Sequence, residues 1–372
     1  MSKPKLARRA LPAALAVLLA FPAAGQSASQ AADFLFAYGR REAAVGPRMT
    51  GMGGAAVAGL GDWTAAAANP AGLAYLQSRQ AVAAGHFFHE EVEEIGPFRG
   101  EEASGLTLSA LGLAAPIPVR RGALAVGGGY AERVVYPVFV GRGEEGPGWQ
   151  GEVSAAGAVA VAPRLMAGLA LNGIVGETAG ASLAGVNGRA GLSLALDYGV
   201  RLGLTVETPT YLRVDLDEPT GEVRMTTPWR VAAGFLAGSE AVLVSADVEV
   251  VDWSQARFET ASHADFVREA LVQENAAADR FRTVLHSRVG AEARLGAVAF
   301  RVGAAFQPDP RFDGPVPEAV WQQYALGLGV QLHPQARLDL AFVHTRDEAS
   351  SPSFVFEGAV RNALQAGVDV RF

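Results

Sequence analysis

The sequence predicts an all-β fold, a 14-stranded antiparallel transmembrane β-barrel with an N-terminal hatch (plug) inside its lumen. Half of the 372 residues are hydrophobic, yet beyond the N-terminus no stretch offers the roughly 18 consecutive apolar residues of a membrane-spanning helix. Many segments instead alternate apolar and polar residues with a period of two, which is typical of strands that face lipid on one side. The last of these segments ends on an aromatic residue, Phe372, as the final strands of outer-membrane barrels commonly do.

Residues 1–25 are predicted to be a secretory signal peptide. Four basic residues precede the apolar run Leu11–Phe21, and small residues follow it, with a second small-residue site that would place cleavage as late as residue 31. The apolar run is too short to span a membrane. We therefore expect export by the general secretory pathway and a location in the outer membrane of a Gram-negative cell.

Residues 32–78 carry no two-residue alternation and are predicted to be the hatch. The segment is too apolar to extend into the periplasm and too short and glycine-rich to fold alone. A 14-stranded wall encloses a lumen that wall side chains alone do not fill. A chain dense in Gly and Ala can pack its backbone against such a wall, because glycine allows close approach and positive φ. Trp63 is expected to pack within this hatch rather than to stack on a ligand.

Fourteen candidate strands make up the predicted barrel, residues 79–372. They lie near 80–90, 104–116, 122–132, 150–162, 165–177, 188–198, 200–213, 222–236, 241–255, 283–295, 297–307, 322–332, 335–346 and 360–372. Short and long connections alternate, as an even-stranded barrel with both ends in the periplasm requires. The longest connection, near 256–282, is expected to be a partly helical extracellular loop. Trp229 and Trp253 are expected at the interface with lipid.

The alternation assigns a polar face to the inside of the barrel. In Thr283–Leu295 the apolar Leu285 and Val289 share one face, and Arg288 and Glu292 share the other. Inward charges of this kind are expected to pair with one another, to line a wet lumen and to hold the hatch.

The stretch from Gly46 to Leu76, GPRMTGMGGAAVAGLGDWTAAAANPAGLAYL, resembles the N-terminal signature of the FadL-type outer-membrane transporters of long-chain fatty acids and aromatic hydrocarbons. The corresponding residues, which the resemblance implies to form and gate the hatch, are Gly51, Met52, Gly53, Gly54, Asp62, Asn69, Pro70, Ala71 and Gly72. The later stretches Thr226–Phe235 and Ala246–Phe258 together also resemble a barrel segment of that family. The resemblance implies passage of hydrophobic molecules from an external groove to a site in the lumen, and then sideways through an opening in the wall.

Ligand-contacting residues are predicted from two apolar places in the chain. The family has an apolar mature N-terminus near its ligand, a place that Phe34, Leu35 and Phe36 would take in this sequence. Phe266 and Leu271 of the longest loop are candidates for the outer groove.

A lateral opening requires a break in the hydrogen-bonded wall. Proline cannot donate to the ladder and glycine weakens a strand. The candidates are Pro116, Pro118 and Gly127–Gly129, which fall in or next to the second and third strands.

Composition and charge exclude several classes of function. The chain has no cysteine, which excludes disulfides, thiolate catalysis and Cys-ligated metal sites. A formal net charge of −7 argues against a nucleic-acid partner. His286 could be a base, but Ser287 faces the opposite side of its strand, so the pair that acyl transfer needs does not form. No catalytic residues, metal ligands or cofactor are predicted.

The sequence therefore predicts a passive outer-membrane channel for hydrophobic small molecules, either long-chain fatty acids or hydrocarbons, and not an enzyme. Its expected partners are that ligand, outer-membrane lipid and lipopolysaccharide, and the chain is expected to be a monomer. The alternative is a non-transporting barrel of the same superfamily, similar to the PorV-like shuttles of protein secretion. A channel would have a break in its wall, whereas a shuttle would have a sealed wall and a large apolar loop patch.

Overall fold

A computed structural model describes most of the chain from Ala44 to its C-terminus. The described residues are 44–92, 102–136, 148–178, 181–216, 222–260, 271–272, 275–276, 278–310, 320–347 and 359–372. The predicted signal peptide, residues 1–25, and the first part of the predicted hatch, residues 32–43, lie outside them. None of the helices in the described ranges has the length and hydropathy needed to cross a membrane.

Fourteen antiparallel strands of the described chain form a closed ring, as the sequence predicts. They are β1 Gln80–Val92, β2 Glu102–Ile117, β3 Leu124–Tyr136, β4 Gly148–Ala162, β5 Leu165–Thr178, β6 Ala181–Ala195, β7 Val200–Glu207 with Tyr211–Leu216, β8 Glu222–Thr226 with Arg230–Gly238, β9 Val242–Asp252 with Arg257–Thr260, β10 Thr283–Leu295, β11 Val298–Pro308, β12 Val320–His333, β13 Ala336–Asp347 and β14 Ala359–Arg371. Pairing of β1 with β14 closes the ring. We call the end of the barrel that holds Gln80 and Arg371 the terminus end, and the opposite end the loop end.

The predicted alternation sets the two faces of this wall. In β10, Leu285 and Val289 are about half exposed on the outside, whereas Arg288 and Glu292 are almost completely buried on the inside. The outer surface of the ring is therefore covered by leucine, valine and phenylalanine side chains, which is the surface that a lipid bilayer requires.

Three neighbouring strands, β7, β8 and β9, are interrupted at the same level of the wall. The interruptions are residues 208–210, 227–229 and 253–256. Pro209 and Pro228 lie in two of them, and proline has no N–H to offer to the ladder. Pairing between the strands resumes on the loop-end side of each interruption.

Threonine hydroxyls replace part of the missing ladder. The backbone N–H of Gly188 donates to Thr208 Oγ1, and that of Thr210 donates to Thr227 Oγ1, each over 3.0 Å. These hydrogen bonds satisfy backbone N–H groups at the interruptions. Backbone groups left unpaired in a barrel wall would be costly in lipid.

Each interruption exchanges the inward and outward faces of its strand. In β7 the inward residues before it are Thr205 and Glu207, and those after it are Leu212 and Val214. The same exchange occurs in β8 and β9. On this side of the barrel the inner face is therefore polar toward the terminus end and apolar toward the loop end.

The exchange of faces also corrects two expectations. Trp253 is buried inside the barrel, with only 2% of its surface exposed, so its predicted position at the lipid interface is wrong, whereas Trp229 is exposed. β9 resumes as Arg257–Thr260, so the connection predicted near 256–282 begins later than expected. Residues 271–272, 275–276 and 278 of that connection are helical.

Candidate functional site

The luminal segment, which we define as residues 44–78, lies inside the ring and contacts the wall on all sides. It contains helix α1 Gly46–Gly51 and the 3-10 helices Trp63–Ala66 and Pro70–Tyr75. Helix α1 lies against β11–β14, and the 3-10 helices lie against β1–β6. The loop between them closely approaches wall glycines of β7, β8, β10 and β11 and contacts β9 through Asp247. The barrel is thus filled by its own N-terminal chain.

The signature residues come together in this segment. Gly51, Met52, Gly53, Gly54, Asp62, Asn69, Pro70, Ala71 and Gly72 are all buried there. Trp63 packs over Gly112 of β2, where an added Cβ would overlap its ring, so it is a packing residue of the segment as expected. Of the predicted ligand contacts, Leu271 lies partly buried against an apolar cluster, and Phe34, Leu35, Phe36 and Phe266 lie outside the described residues.

Asn69 joins the luminal segment to the wall. Its Nδ2 donates to the carbonyl of Val57 over 2.6 Å and to that of Leu192 in β6 over 3.0 Å. Its Oδ1 accepts from the backbone N–H of Ala71 over 3.1 Å and so caps the following 3-10 helix. Both polar atoms of the Asn69 amide therefore have hydrogen-bond partners within the barrel, as a buried amide requires.

Arg48 is a second anchor, which the sequence did not single out. Its guanidinium donates to Asp62 over 2.6 Å and to both carboxylate oxygens of Glu292 in β10 over 3.1 and 3.2 Å. Burial alone would lower the pKa of Arg48, but the charges of Glu292 and Asp62 outweigh it and raise that pKa. Burial alone would raise the pKa of Asp62, but Arg48 and a hydrogen bond from Thr64 hold it below its ordinary value.

Asp247 of β9 is the third side chain that anchors the luminal segment. Asp247 and Glu292 both point into the barrel and bind this segment, as predicted for inward charges. One carboxylate oxygen, Oδ2, accepts from the backbone N–H groups of Ala56 and Val57 over 2.6 and 2.9 Å. Such charge-assisted bonds to a backbone are about twice as strong as neutral ones. The three anchors attach the luminal segment to β6, β9 and β10.

The pairing between β2 and β3 is incomplete. The two strands pair from Ala110↔Ala131 to Ile117↔Leu124, in the terminus half of the barrel. Within the described strands no pair joins residues 102–109 of β2 to residues 132–136 of β3, although both stretches pair with their other neighbours. We call this unpaired boundary the seam. Across the seam β2 lacks a ladder over half of its sixteen residues, and β3 lacks one over five of its thirteen.

The seam lies between the strands that the sequence predicts, but not at the predicted residues. Pro116 still pairs with Ala125, and Gly127–Gly129 pair with β2, whereas Pro118 follows the end of β2. Pro116 is tolerated because it lies near the strand end. The ladder is lost farther toward the loop end.

A small charged chamber lies between the luminal segment and the apolar cluster near the loop end. Its cavity is about 40 Å³, which holds a few water molecules and is far below the size of a ligand pocket. Buried charged residues line it, namely Arg133, Arg189, Glu207, Arg230, Glu249 and Arg288. They pair with one another and with Glu152 over 2.6 to 3.4 Å. Among the described residues no group of three or more His, Asp and Glu side chains could hold a metal ion.

Beyond the chamber, the inner wall near the loop end carries an apolar cluster. Strand segments on the loop-end side of the interruptions contribute to it, together with the interruption in β9, neighbouring strands and the loop after β9. Its buried members include Leu212, Met225, Trp253, Phe258 and Phe281. The sequence does not predict this cluster, because the exchange of faces places Leu212, Met225 and Phe258 on what an unbroken alternation would make the outside.

Known structures resemble this arrangement, although no protein-family model and no curated protein matches the chain. The CymD monoaromatic hydrocarbon channel superposes with a TM-score of 0.60 at 16% identity, over 89% of this chain and 98% of that one. The toluene transporter TodX of Pseudomonas putida gives 0.60 at 12% identity, over 89% and 99%. A FadL homologue of Pseudomonas aeruginosa gives 0.58 at 11% identity, over 88% and 98%. The chain has a FadL-type fold. The matches extend over nearly the whole length of each of these three chains.

Because the luminal segment packs directly against wall glycines, we expect a single added methyl group there to lower the stability of the barrel. An alanine Cβ at Gly203 in β7 would overlap the carbonyl oxygen of Val57. We expect Gly203→Ala to lower stability by roughly 1–3 kcal/mol through overpacking, and to raise single-channel conductance in planar bilayers. The control is Gly173→Ala in β5, where the nearest atom to the new Cβ is 4.0 Å away. Equal conductance and stability in the two variants would refute the close contact.

The lowered pKa of Asp62 predicts how acid acts on the luminal segment. A carboxyl group whose folded-state pKa is depressed contributes stability above its ordinary value of 3.8 and loses it as the pH falls through the depressed value. We therefore expect the fluorescence of Trp63, which adjoins Asp62, to stay constant from neutral pH to about 4 and to change below that. Asp62→Asn should remove this transition, measured in a variant that keeps Trp63 as the single tryptophan. A transition near neutral pH that depends on Asp62 would contradict the assignment.

Proposed function

We propose that the protein is an outer-membrane channel for passive uptake of hydrophobic small molecules, with the luminal segment as its hatch and the seam as its lateral exit. The observation that carries this proposal is the unpaired boundary between β2 and β3 in a wall whose other described neighbours pair along most of their length. The FadL-type fold supports the proposal, because structures with that fold include a monoaromatic hydrocarbon channel and a toluene transporter.

A lateral exit suits an apolar solute. Leaving through the bore would place the solute in water, whereas leaving through the wall passes it directly to lipid, and each Å² of apolar surface kept from water is worth about 25 cal/mol. The outward Leu106 and Leu108 of β2, next to the seam, present an apolar surface to such a solute. Transfer to the membrane then supplies the driving force without an energy source.

The proposed route begins at the apolar cluster near the loop end, which long-chain fatty acids or hydrocarbons could contact. The charged chamber below it is too small for either, so passage requires the luminal segment or the loop near residue 271 to move. A non-transporting shuttle of the PorV-like kind needs no such seam, and the seam therefore favours the channel. Catalysis forms no part of the proposal, and the chain is proposed to act as a monomer among outer-membrane lipid and lipopolysaccharide.

A reversible disulfide across the seam tests the proposal. The chain has no native cysteine, so the introduced thiols can pair only with each other within the protein. Ser109→Cys with Glu132→Cys places two thiols at the first positions beyond Ala110 and Ala131, the last paired residues. We expect the oxidised double variant to take up labelled oleate or toluene at the rate of cells without the protein, and a reductant to restore uptake.

The matched control is Ala125→Cys with Ala158→Cys, which joins two residues that already pair between β3 and β4. Its disulfide should leave uptake unchanged. Equal uptake by the oxidised and reduced forms of the seam variant would exclude the seam as the exit.

A further inference from the structure

Arg133 lies where the seam, the luminal segment and the charged chamber meet. It follows Glu132, the first residue of β3 without a partner in β2. The register of β3 with β4 shifts between Glu132 and Val134, which leaves Arg133 as the extra residue of a bulge. Bulges commonly re-aim a side chain, and here the bulge directs Arg133 into the barrel.

The inward position of Arg133 gives it contacts on both sides. The residue is 3% exposed. Its Nη2 donates to Glu152 Oε1 of β4 over 2.8 Å and to the backbone carbonyl of Ala67 over 3.2 Å. Ala67 ends the 3-10 helix Trp63–Ala66 and stands two residues before Asn69. One guanidinium nitrogen thus holds both the wall and the luminal segment.

The preceding residue ties the same edge of β3 to another strand. Glu132 Oε1 contacts His86 Nδ1 of β1 over 2.9 Å, across the inner face of β2. The edge of β3 at the seam keeps its ladder to β4 but lacks backbone bonds to β2, and these side chains make the contacts on that side. Arg133 connects that edge to the luminal segment, whereas Glu132 connects it to the wall.

We propose that Arg133 is a positioning residue that couples the luminal segment to the seam. When the turn from Ala67 to Asn69 moves, Arg133 loses a buried acceptor, and the β3 edge loses its contact with the luminal segment. Movement of the segment and widening of the seam then occur together. The inference rests on the proposed lateral exit, but the coupling can be measured without transport.

The test uses the full-length protein in lipid nanodiscs, with Ser109→Cys as a probe of the seam. Two quantities are measured, the hydrogen exchange of the amides in residues 64–69 and the rate at which a maleimide labels the thiol introduced by Ser109→Cys. Arg133→Met should raise both by about tenfold or more, since it removes a buried charge-assisted hydrogen bond. Arg133→Lys should return both toward the parent values, because a single ammonium nitrogen can serve both acceptors.

Two controls separate coupling from general loosening. Arg288→Met removes another buried arginine of the chamber, whose hydrogen bond goes to Glu249, and should change neither quantity. Glu152→Gln weakens the ion pair but keeps the Ala67 acceptor, and should leave exchange in residues 64–69 slow. Faster exchange without faster labelling in Arg133→Met, or equal labelling in Arg288→Met, would overturn the coupling. Suppose that coupling is found, but the disulfide across the seam leaves uptake unchanged. The coupling by Arg133 then holds, and the seam is not the exit for the solute.

Discussion

Replacing Arg48 by methionine is expected to detach helix α1 from the wall and to open the barrel to ions. The change removes the ion-pair partner of Asp62, whose side chain is 3% exposed, and leaves that carboxylate buried. Glu292 loses one of its three arginine partners and keeps Arg294 and Arg301. Breaking a buried pair in this way costs roughly 3–5 kcal/mol. We expect a lower melting temperature and a higher single-channel conductance, with sensitivity to large hydrophilic antibiotics in cells.

The control for Arg48 is an arginine whose ion pair is exposed. Arg164 pairs with Asp197 over 2.7 Å at the terminus end, and both side chains are more than half exposed. Exposed pairs are worth at most about 1 kcal/mol, so Arg164→Met should behave as the parent protein. If Arg48→Met retains the parent's conductance and melting temperature, Arg48 does not anchor the segment.

Asn69→Asp is expected to lower the stability of the protein more than Asn69→Ala does, because it disrupts the connection between the luminal segment and β6 more strongly. The Nδ2 group faces the carbonyls of Val57 and Leu192, so a carboxylate oxygen in its place would oppose two acceptors. Asn69→Ala removes the side chain's three hydrogen bonds and leaves buried backbone groups unpaired, at about 1–3 kcal/mol for each group. Asn69→Asp keeps an acceptor for the Ala71 N–H but loses both Nδ2 donations and adds the burial of a charge.

The measurement for Asn69 is thermal unfolding in detergent together with uptake of oleate and toluene. The order of stability should be parent, then Asn69→Ala, then Asn69→Asp, and protonation at low pH should narrow the gap between the two variants. Asn69→Asp matching the parent would show that the amide nitrogen does not face those carbonyls.

The wall could be predicted from the sequence because its physical cause is local. A strand with one face in lipid must alternate with a period of two, and Leu285, Arg288 and Glu292 show that period within a single segment. The interruptions could not be predicted in the same way. The candidate strand near 200–213 runs unbroken through Thr208, Pro209 and Thr210 in the sequence-based prediction. Only the pairing with β6 and β8 shows that β7 stops at these residues and resumes beyond them with its faces exchanged.

The candidate site was predicted in part, for a related reason. The signature residues around Asn69 were found from a continuous stretch of sequence, and they lie together inside the barrel. Arg48 and Glu292 are 244 residues apart in the chain, so no local pattern joins them. Arg133 owes its position to a bulge, and bulges leave no trace in an alternation that is weak at a strand end.

The most direct measurement of the central claim is an experimental structure of the protein in lipid nanodiscs with oleate. We expect residues 44–76 to lie inside a closed ring, and an elongated density for an acyl chain to lie between residues 102–109 of β2 and residues 132–136 of β3. A segment lying below an open bore, or a continuous ladder between β2 and β3 with lipid density excluded from it, would contradict the account.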